Sequence, residues 1–278
     1  MLRNQTIRWN SPLNYNDPFD CYFSMGFNFH LAQFREQAIN RLVNTLLGAD
    51  EPAFELSNPL ALGYSKLRKI RTKLSEEEIR REIIAGIDES IEIFTAGFVQ
   101  EEKRWRSELG RYRLLCVCEE PDNILLWSHY ADEHKGVVFQ FDCLKEIDAP
   151  LLAAKPVIYA DEPPTIATPE EWIEVLCGLR SPPAAPTYWH QLMHTKSTVW
   201  KEEKEWRVVT TARHYDHGLF EDTNFDPREI SRMYFGCRIS AEDRRELLEL
   251  ASGSFAHLEV YEAAQNPRSF GICFKRIK

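Results

Sequence analysis

Residues 196–210 read KSTVWKEEKEWRVVT, and the prediction of the fold starts from this stretch. If it is extended from Lys204 to Thr210, alternate side chains point to opposite faces of a β-strand. One face would then carry Glu203, Glu205 and Arg207, and the other would carry Lys204, Trp206 and Val208. The charged face is typical either of a solvent-exposed ladder of ion pairs or of a functional site. Trp200 and Trp206 favour a strand inside the fold over a free edge, because side chains of this size are usually buried.

The composition is that of a folded globular protein. The chain has 278 residues, of which 44% are hydrophobic, and this is enough for a sizeable core. A formal net charge of −9 argues against non-specific binding to nucleic acid. The seven cysteines contain no Cys-x-x-Cys pair, so we expect reduced thiols and a cytoplasmic location. No apolar run follows Arg3 and no window resembles a membrane span, so neither secretion nor membrane association is expected.

Hydrophobic periodicity predicts an α+β fold. Helical spacing of apolar residues runs from about 27 to 48 and again from 75 to 110, where Ser75 and Glu78 form a capping box. Strands are predicted at 6–9, 112–118, 136–141, 230–235, 257–261 and 270–276, and further helices at 169–179, 188–194 and 241–251. We expect a single domain over residues 1–278, with a mixed, mainly antiparallel sheet as its core and with 27–110 as a helical insertion or lid.

Two stretches outside the opening one contain candidate site residues. In the turn-rich loop 10–20, Asn16 and Asp17 precede Pro18 and are expected to be extended, with side chains that cap the backbone or face a pocket. In the second stretch, Asp122 is expected to cap a short helix that ends near His134. The face of this helix that carries His129 and Tyr130 either packs in the core or lines a pocket together with Trp127.

Metal binding is not predicted. His190 and His194 have the spacing of zinc ligands, but residue 191 is Gln where the His-Glu-x-x-His pattern has Glu. Cys116 and Cys118 lie on the same side of a predicted strand and are interpreted as core thiols.

Three stretches together resemble a widespread bacterial group, domain-of-unknown-function family 2971. The motifs are, in chain order, YNDPFD at 15–20, WSHYA at 127–131 with GVVFQF at 136–141, and Lys196 followed by Trp200-x-x-Glu203-x-Glu205-Trp206-Arg207. Tyr15 stands where the family usually has Phe. Relatives usually carry an extra N-terminal strand with a Tyr-rich motif before the region that matches Thr6, so we expect either that the start is trimmed here or that this element is missing.

Glu203-x-Glu205 also resembles, more weakly, the Glu-x-Glu motif on a late strand of ADP-ribosyltransferases. This resemblance implies an enzyme that uses NAD, in which a glutamate holds the nicotinamide ribose while an oxocarbenium-like centre develops. It makes Glu205 the catalytic residue and lets Glu203 orient the second substrate. Residues assigned to binding of substrate or cofactor are Asn16, Asp17, Trp127, His129, Tyr130, Lys196 and Arg207, with Arg8 as an alternative donor to the pyrophosphate.

Two other functions stay open at this point. A metal-dependent nuclease would combine Asp17 or Asp20 with Glu202 and Lys204, because carboxylates bind hard divalent cations and the lysine would lie beside the attacking water. A non-catalytic ligand-binding or effector module would use the same motifs as a buried polar network, because buried Glu, Arg and Asn need partners whether or not anything reacts.

Overall fold

The computed structural model describes residues 1–21, 25–213 and 218–278. Its helices are α1 (Leu31–Leu47), α2 (Ala61–Ile70), α3 (Glu76–Glu108), α4 (Ile124–Tyr130), α5 (Pro169–Leu176), α6 (Ala185–Met193) and α7 (Ala241–Leu250). Its strands are β1 (Thr6–Asn10), β2 (Tyr112–Cys118), β3 (Val137–Phe141), β4 (Lys155–Pro156), β5 (Ile158–Ala160), β6 (Thr195–Ser197), β7 (Glu205–Thr211), β8 (Phe220–Asn224), β9 (Ile230–Phe235), β10 (Glu259–Gln265) and β11 (Ile272–Arg276). The fold is α+β with mainly antiparallel strand pairs, which confirms the predicted class.

The chain forms two compact units. The first contains Met1–Cys21, Glu108–Pro163 and Met193–Lys278, and the second takes its described residues from 25–107 and 164–192. The helices predicted within 27–110 are present, and α2 is an additional one between them. That these helices form an insertion or lid within a single domain stays a prediction.

One sheet of the first unit has the strand order β4-β7-β2-β1-β8, with antiparallel neighbours throughout. Side chains alternate between its two faces as a strand period of two requires. On one face Trp9, Leu115 and Val208 pack against Leu151 and are buried. On the other face, Cys116 of β2 lies opposite Arg207 of β7. The alternation predicted for the opening stretch therefore separates an apolar face from a charged one.

A second sheet of this unit has the order β11-β10-β9-β3. Its strands β9 and β10 are parallel, and α7 lies between them in the chain, as a crossover connection requires. Met233, Phe235 and Val260 pack with Phe255 and Leu258 in one apolar cluster. Tyr234 belongs to another cluster, with Trp127 and Ala131 from the region of α4. This second cluster fixes α4.

The second unit is a helical core. Ile39, Leu42 and Leu46 of α1, Ile83 and Ile87 of α3, and Trp172 of α5 belong to one buried cluster, with the helical spacing expected of amphipathic helices. Arg68 of α2 is 3% exposed and donates hydrogen bonds to the carbonyl oxygens of Thr45, Leu46, Gly48 and Asp50. It therefore satisfies carbonyl groups that α1 leaves without intrahelical partners at its C-terminal end.

Over the described residues, every helix is too short or too polar to traverse a bilayer.

Candidate functional site

A cavity of about 320 Å³ lies in the first unit and is lined by residues from the three sequence motifs. Its polar lining comes from Tyr15, Asn16, Tyr130, Glu203 and Glu205, and its apolar lining from Val117, Leu126, Ala131 and Val138, with the thiols of Cys116 and Cys118 beside them. These polar groups come from three separate parts of the chain, at 15–16, 130 and 203–205. The structure therefore brings the predicted motifs together in one place.

Arg207 anchors the polar side of this cavity. Its position in β7 directs the side chain into the unit, where it is 0% exposed. Its Nε and Nη2 donate to the Glu205 carboxylate at 2.7 and 2.9 Å, and its Nη1 and Nη2 donate to the Asp20 carboxylate at 2.9 and 2.6 Å. Nη1 also donates to the Met193 carbonyl oxygen at 2.9 Å. These contacts use all the donors of a guanidinium, as a buried cation requires.

Lys196 is the second cation of the site and is 8% exposed. It lies on β6, which is held by parallel pairing of Tyr159 with Lys196. Its Nζ donates to Glu203 at 2.5 Å and to Glu205 at 3.0 Å, and lies 3.7 Å from an oxygen of Asp20. Lys196 therefore joins all three carboxylates into one network.

Asp20 pairs with Arg207 and does not have the role of metal ligand that the nuclease alternative gives it. It is 7% exposed and accepts two hydrogen bonds from the Arg207 guanidinium. Asp17, the predicted binding residue, instead accepts a hydrogen bond from the Phe19 N–H at 2.9 Å and stabilises the turn that carries Asp20. The sequence feature that could have indicated Asp20 as a site residue is its place as the second aspartate of the YNDPFD motif.

Glu203 reaches the network from a turn and not from the strand predicted for it. β7 begins at Glu205, Glu203 ends a 3-10 turn over Thr198–Glu203, and Lys204 has a left-handed backbone with φ of 47°. The side chain of Glu203 accepts hydrogen bonds from Lys196 and from the Tyr130 hydroxyl, the latter at 3.1 Å. Glu203 and Glu205 thus converge because the chain reverses at Lys204.

The α4 region places Tyr130 at the cavity but Trp127 in the core, which corrects the prediction that both line a pocket. Leu126 and Tyr130 are four residues apart and share the cavity-facing side of α4. Trp127 projects one step further round the helix, is 1% exposed, and donates its indole N–H to the Pro121 carbonyl oxygen at 2.6 Å. Asn16 and Tyr130 both line the cavity. His129 is exposed beside Tyr130 and Trp200, with ring centroids 6.2 and 6.4 Å away.

The ends of α4 also differ from the prediction. Asn123, not Asp122, caps the helix by accepting hydrogen bonds from the N–H groups of Leu125 and Leu126. The helix ends at Tyr130 and not near His134, because Asp132, Glu133 and His134 all have left-handed backbone angles with φ of 44°, 52° and 68°.

Cys116 and Cys118 are exposed and line the cavity, so their interpretation as core thiols is wrong. β2 continues past the buried residues Leu114 and Leu115. Its last three residues are exposed or only partly buried. Although both cysteines are accessible from the cavity, desolvation of their sulfur atoms by the surrounding protein raises the pKa of both thiols, and burial raises that of the Tyr15 hydroxyl, which lies 3.2 Å from the Cys116 sulfur. All three groups are therefore neutral at physiological pH.

The charges of the network stabilise one another. Burial opposes ionisation of Glu205, but hydrogen bonds from Arg207 and the positive charges of Arg207 and Lys196 outweigh it and lower the pKa of Glu205 to about 2. Burial likewise favours the neutral amine of Lys196, but the charges of Glu205, Glu203 and Asp20 raise its pKa above the ordinary value. Both groups are ionised at neutral pH.

Residues 126–208 match the model of the family Protein of unknown function (DUF2971). This match confirms the resemblance seen in the sequence over that segment. The DUF2971 segment contains Tyr130, Lys196, Glu203, Glu205 and Arg207, whereas Asn16 and Asp20 lie outside it. Comparison of the chain with curated proteins and with solved structures found no match.

The residues named for a nuclease are not assembled. Glu202 is exposed, with an oxygen 3.9 Å from the Lys201 amine, and Lys204 donates to Glu120 at 2.6 Å on the surface. Asp20 is buried against Arg207. Within 1–21, 25–213 and 218–278, no group of three or more His, Cys, Asp or Glu side chains is placed to hold a metal ion. Arg8 pairs with Asp222 at 2.9 Å and is not among the residues that line the cavity.

We expect the acid stability of the protein to depend on Glu205. Because its pKa of about 2 in the folded state lies below the ordinary 4.5, the carboxylate stabilises the fold above pH 4.5, and this contribution is lost as the pH falls towards 2. Such a shift corresponds to about 3 kcal/mol. Glu205→Gln should therefore flatten the dependence of the unfolding free energy on pH in this window, as measured by urea denaturation at a series of pH values. Glu120→Gln, at an exposed ion pair with Lys204, should leave the slope as in the wild type. An unchanged slope in Glu205→Gln would contradict the assignment.

Proposed function

We propose that this chain is a small-molecule-binding protein whose ligand occupies the cavity beside Glu203 and Glu205. One observation carries the proposal: the buried ionic network lines one side of an open and otherwise mainly apolar cavity. Ion pairs of this kind are a weak source of stability compared with apolar packing, because burial of each charge costs several kcal/mol. A few polar groups placed in an apolar pocket are the usual composition of a ligand site.

NAD is the candidate ligand, and its nicotinamide ring is the part that fits this cavity. The rings of Tyr15 and Tyr130 provide aromatic surface on which a flat ring can pack, and the side chain of Asn16 provides amide donors and an acceptor at the same cavity. All seven cysteines lie in the described residues as thiols, which supports a cytosolic location.

ADP-ribosyl transfer is the reaction that such binding would allow. Both acids of the Glu203-x-Glu205 motif line the cavity, so a carboxylate can accept a hydrogen bond from a ribose hydroxyl of bound NAD. The bond between the ribose and nicotinamide would break with its electron pair leaving on nicotinamide. Water or an acceptor side chain would then form the new bond to the ribose carbon and release a proton.

The contacts favour Glu203 over Glu205 for the group that touches this ligand. Glu205 accepts three hydrogen bonds, two from Nε and Nη2 of Arg207 and one from Lys196, and a carboxylate offers about four acceptor sites. Glu203 accepts two hydrogen bonds among the described residues, from Tyr130 and Lys196. Glu203 therefore retains acceptor capacity for a ligand, and Glu205 holds the cations in place.

Calorimetric titration with NAD tests this proposal. We expect NAD to bind the wild type and Glu120→Gln with equal affinity, and Glu203→Gln to weaken binding at least tenfold. If the protein has ADP-ribosyl transfer activity, Glu203→Gln should lower the rate of nicotinamide release while the unfolding temperature stays close to that of the wild type. The absence of binding at millimolar NAD in the folded wild type would overturn NAD as the ligand. Equal affinity of wild type and Glu203→Gln would overturn the assignment of the cavity.

A further inference from the structure

The ionic network beside the cavity has unequal numbers of positive and negative groups. Among residues 1–21, 25–213 and 218–278, its carboxylates are Asp20, Glu203 and Glu205, and its cations are Lys196 and Arg207, all of them at most 8% exposed. Three negative formal charges and two positive ones leave one negative charge in excess. The hydroxyl of Tyr15 and the thiols of Cys21 and Cys116 contact the same groups, and burial raises the pKa of each, so they add no charge at neutral pH.

The excess negative charge is located at Glu203. Asp20 and Glu205 share Arg207, which gives each of them two hydrogen bonds. Glu203 receives its charged contact from Lys196 alone among the described residues, and that amine is shared with Glu205. The other contact of Glu203 is the neutral hydroxyl of Tyr130.

Two neutral aromatic side chains line the cavity beside the Glu203 carboxylate. Tyr15 and Tyr130 line it, and Asn16 adds an uncharged amide, while no lysine or arginine is among its lining residues within the described part of the chain. The face of an aromatic ring attracts a cation, and the attraction is larger where water is excluded. An anion would meet the carboxylate of Glu203, whose charge is balanced only in part because Glu203 shares Lys196 with Glu205.

We infer that the cavity selects ligands by charge, and that its ligand presents a flat ring or a compact group with one positive charge to Glu203. This inference rests on the proposed function, since it specifies the chemical class of the ligand for the same cavity. A cation beside Glu203 balances the network, whereas a neutral ring leaves the excess charge in place and an anion doubles it. Because Glu203 is only 7% exposed, its electrostatic interactions are stronger than those of a carboxylate in water.

Three pyridine probes of nearly the same shape distinguish the effect of ligand charge on affinity from the effect of ligand shape. They are 1-methylnicotinamide with one positive charge, neutral nicotinamide, and nicotinate with one negative charge. We expect the cation to bind at least tenfold more tightly than nicotinamide, and nicotinate to bind more weakly than both, in titrations followed by calorimetry at neutral pH.

Two glutamate variants locate the source of the preference. Glu203→Gln keeps the size of the side chain and removes its charge, so it should reduce the preference of the site for the cation over nicotinamide to within about threefold. Glu120→Gln removes a surface carboxylate with 52% of its side chain exposed, and should keep the wild-type preference. Thermal unfolding of both variants shows whether each one is folded in the titration.

The outcomes distinguish this inference from the proposal on which it rests. Similar affinities for the cation and nicotinamide in the wild type would overturn charge selection and leave small-molecule binding standing. A preference that persists in Glu203→Gln would overturn the role of Glu203. Failure of all three probes and of NAD to bind the folded wild type would overturn the binding proposal itself.

Discussion

Replacement of Arg207 by alanine is expected to lower the free energy of unfolding by about 3–5 kcal/mol, because it leaves two buried carboxylates with Lys196 as their one remaining cation among the described residues. Arg207 is 0% exposed, and its partners Asp20 and Glu205 are 7% and 8% exposed. The measurement is urea denaturation at pH 7, followed by circular dichroism.

The matched control is Arg8→Ala. Arg8 also forms a two-bond pair with an aspartate, donating from Nε and Nη2 to Asp222 at 2.9 Å each, but the two side chains are 56% and 41% exposed. Exposed pairs contribute little, so this variant should lose much less stability than Arg207→Ala. Equal losses in the two variants would show that burial does not determine the contribution of Arg207, and that its network behaves as a surface ladder.

The charged side of the site could be predicted from the sequence because a strand repeats every two residues. Glu205 and Arg207 lie on the same face of β7, and their face is the one opposite the apolar residues, as the alternation of the stretch indicates. The same rule failed for Glu203. A left-handed residue at Lys204 interrupts the strand, and a lysine in this conformation has no sequence signal as strong as that of glycine.

The pairing of Asp20 with Arg207 could not be predicted by local reasoning, since the two residues are 187 positions apart. Periodicity gives the face on which a residue lies, but not the distant loop that meets it. Trp127 and Tyr130 illustrate the same limit on a single helix. Both are large aromatic residues of one motif, and only the packing of α4 against Tyr234 determines which of them is buried and which lines the cavity.

The corrected contacts change the role of the Glu-x-Glu motif. The resemblance to ADP-ribosyltransferases makes Glu205 the catalytic candidate. In the structure Glu205 accepts three hydrogen bonds from Arg207 and Lys196, which occupy most of its acceptor sites, and its pKa of about 2 keeps it ionised. Glu203, on the more irregular backbone, keeps the free acceptor sites and the unbalanced charge. A rigid pair of Arg207 and Glu205 behind a less constrained Glu203 is an arrangement suited to holding a ligand.

Replacement of Gly236 by alanine is expected to cost about 3 kcal/mol or more, the upper end of the range for overpacked sites. Gly236 follows β9, and a Cβ atom built there would lie 2.0 Å from the carbonyl oxygen of His134. This oxygen is held in place, because it accepts a hydrogen bond from the Arg238 N–H at 3.0 Å. The neighbouring residues cannot yield easily either, since Asp132, Glu133 and His134 already have left-handed backbone angles, each of which costs about 1–2 kcal/mol.

Gly253→Ala is the control for this variant, because a Cβ atom at that glycine meets nothing within 4 Å and its φ is not positive. It should change the unfolding free energy by less than about 1 kcal/mol. Both variants are measured by chemical denaturation, and the cation probe is titrated into each under native conditions. The turn at 131–136 directly follows α4, so Gly236→Ala should also weaken binding by displacing Tyr130, while Gly253→Ala should not. A stable Gly236→Ala protein with unchanged binding would mean that the turn relaxes without moving α4, and that the left-handed segment is not what positions Tyr130 at the cavity.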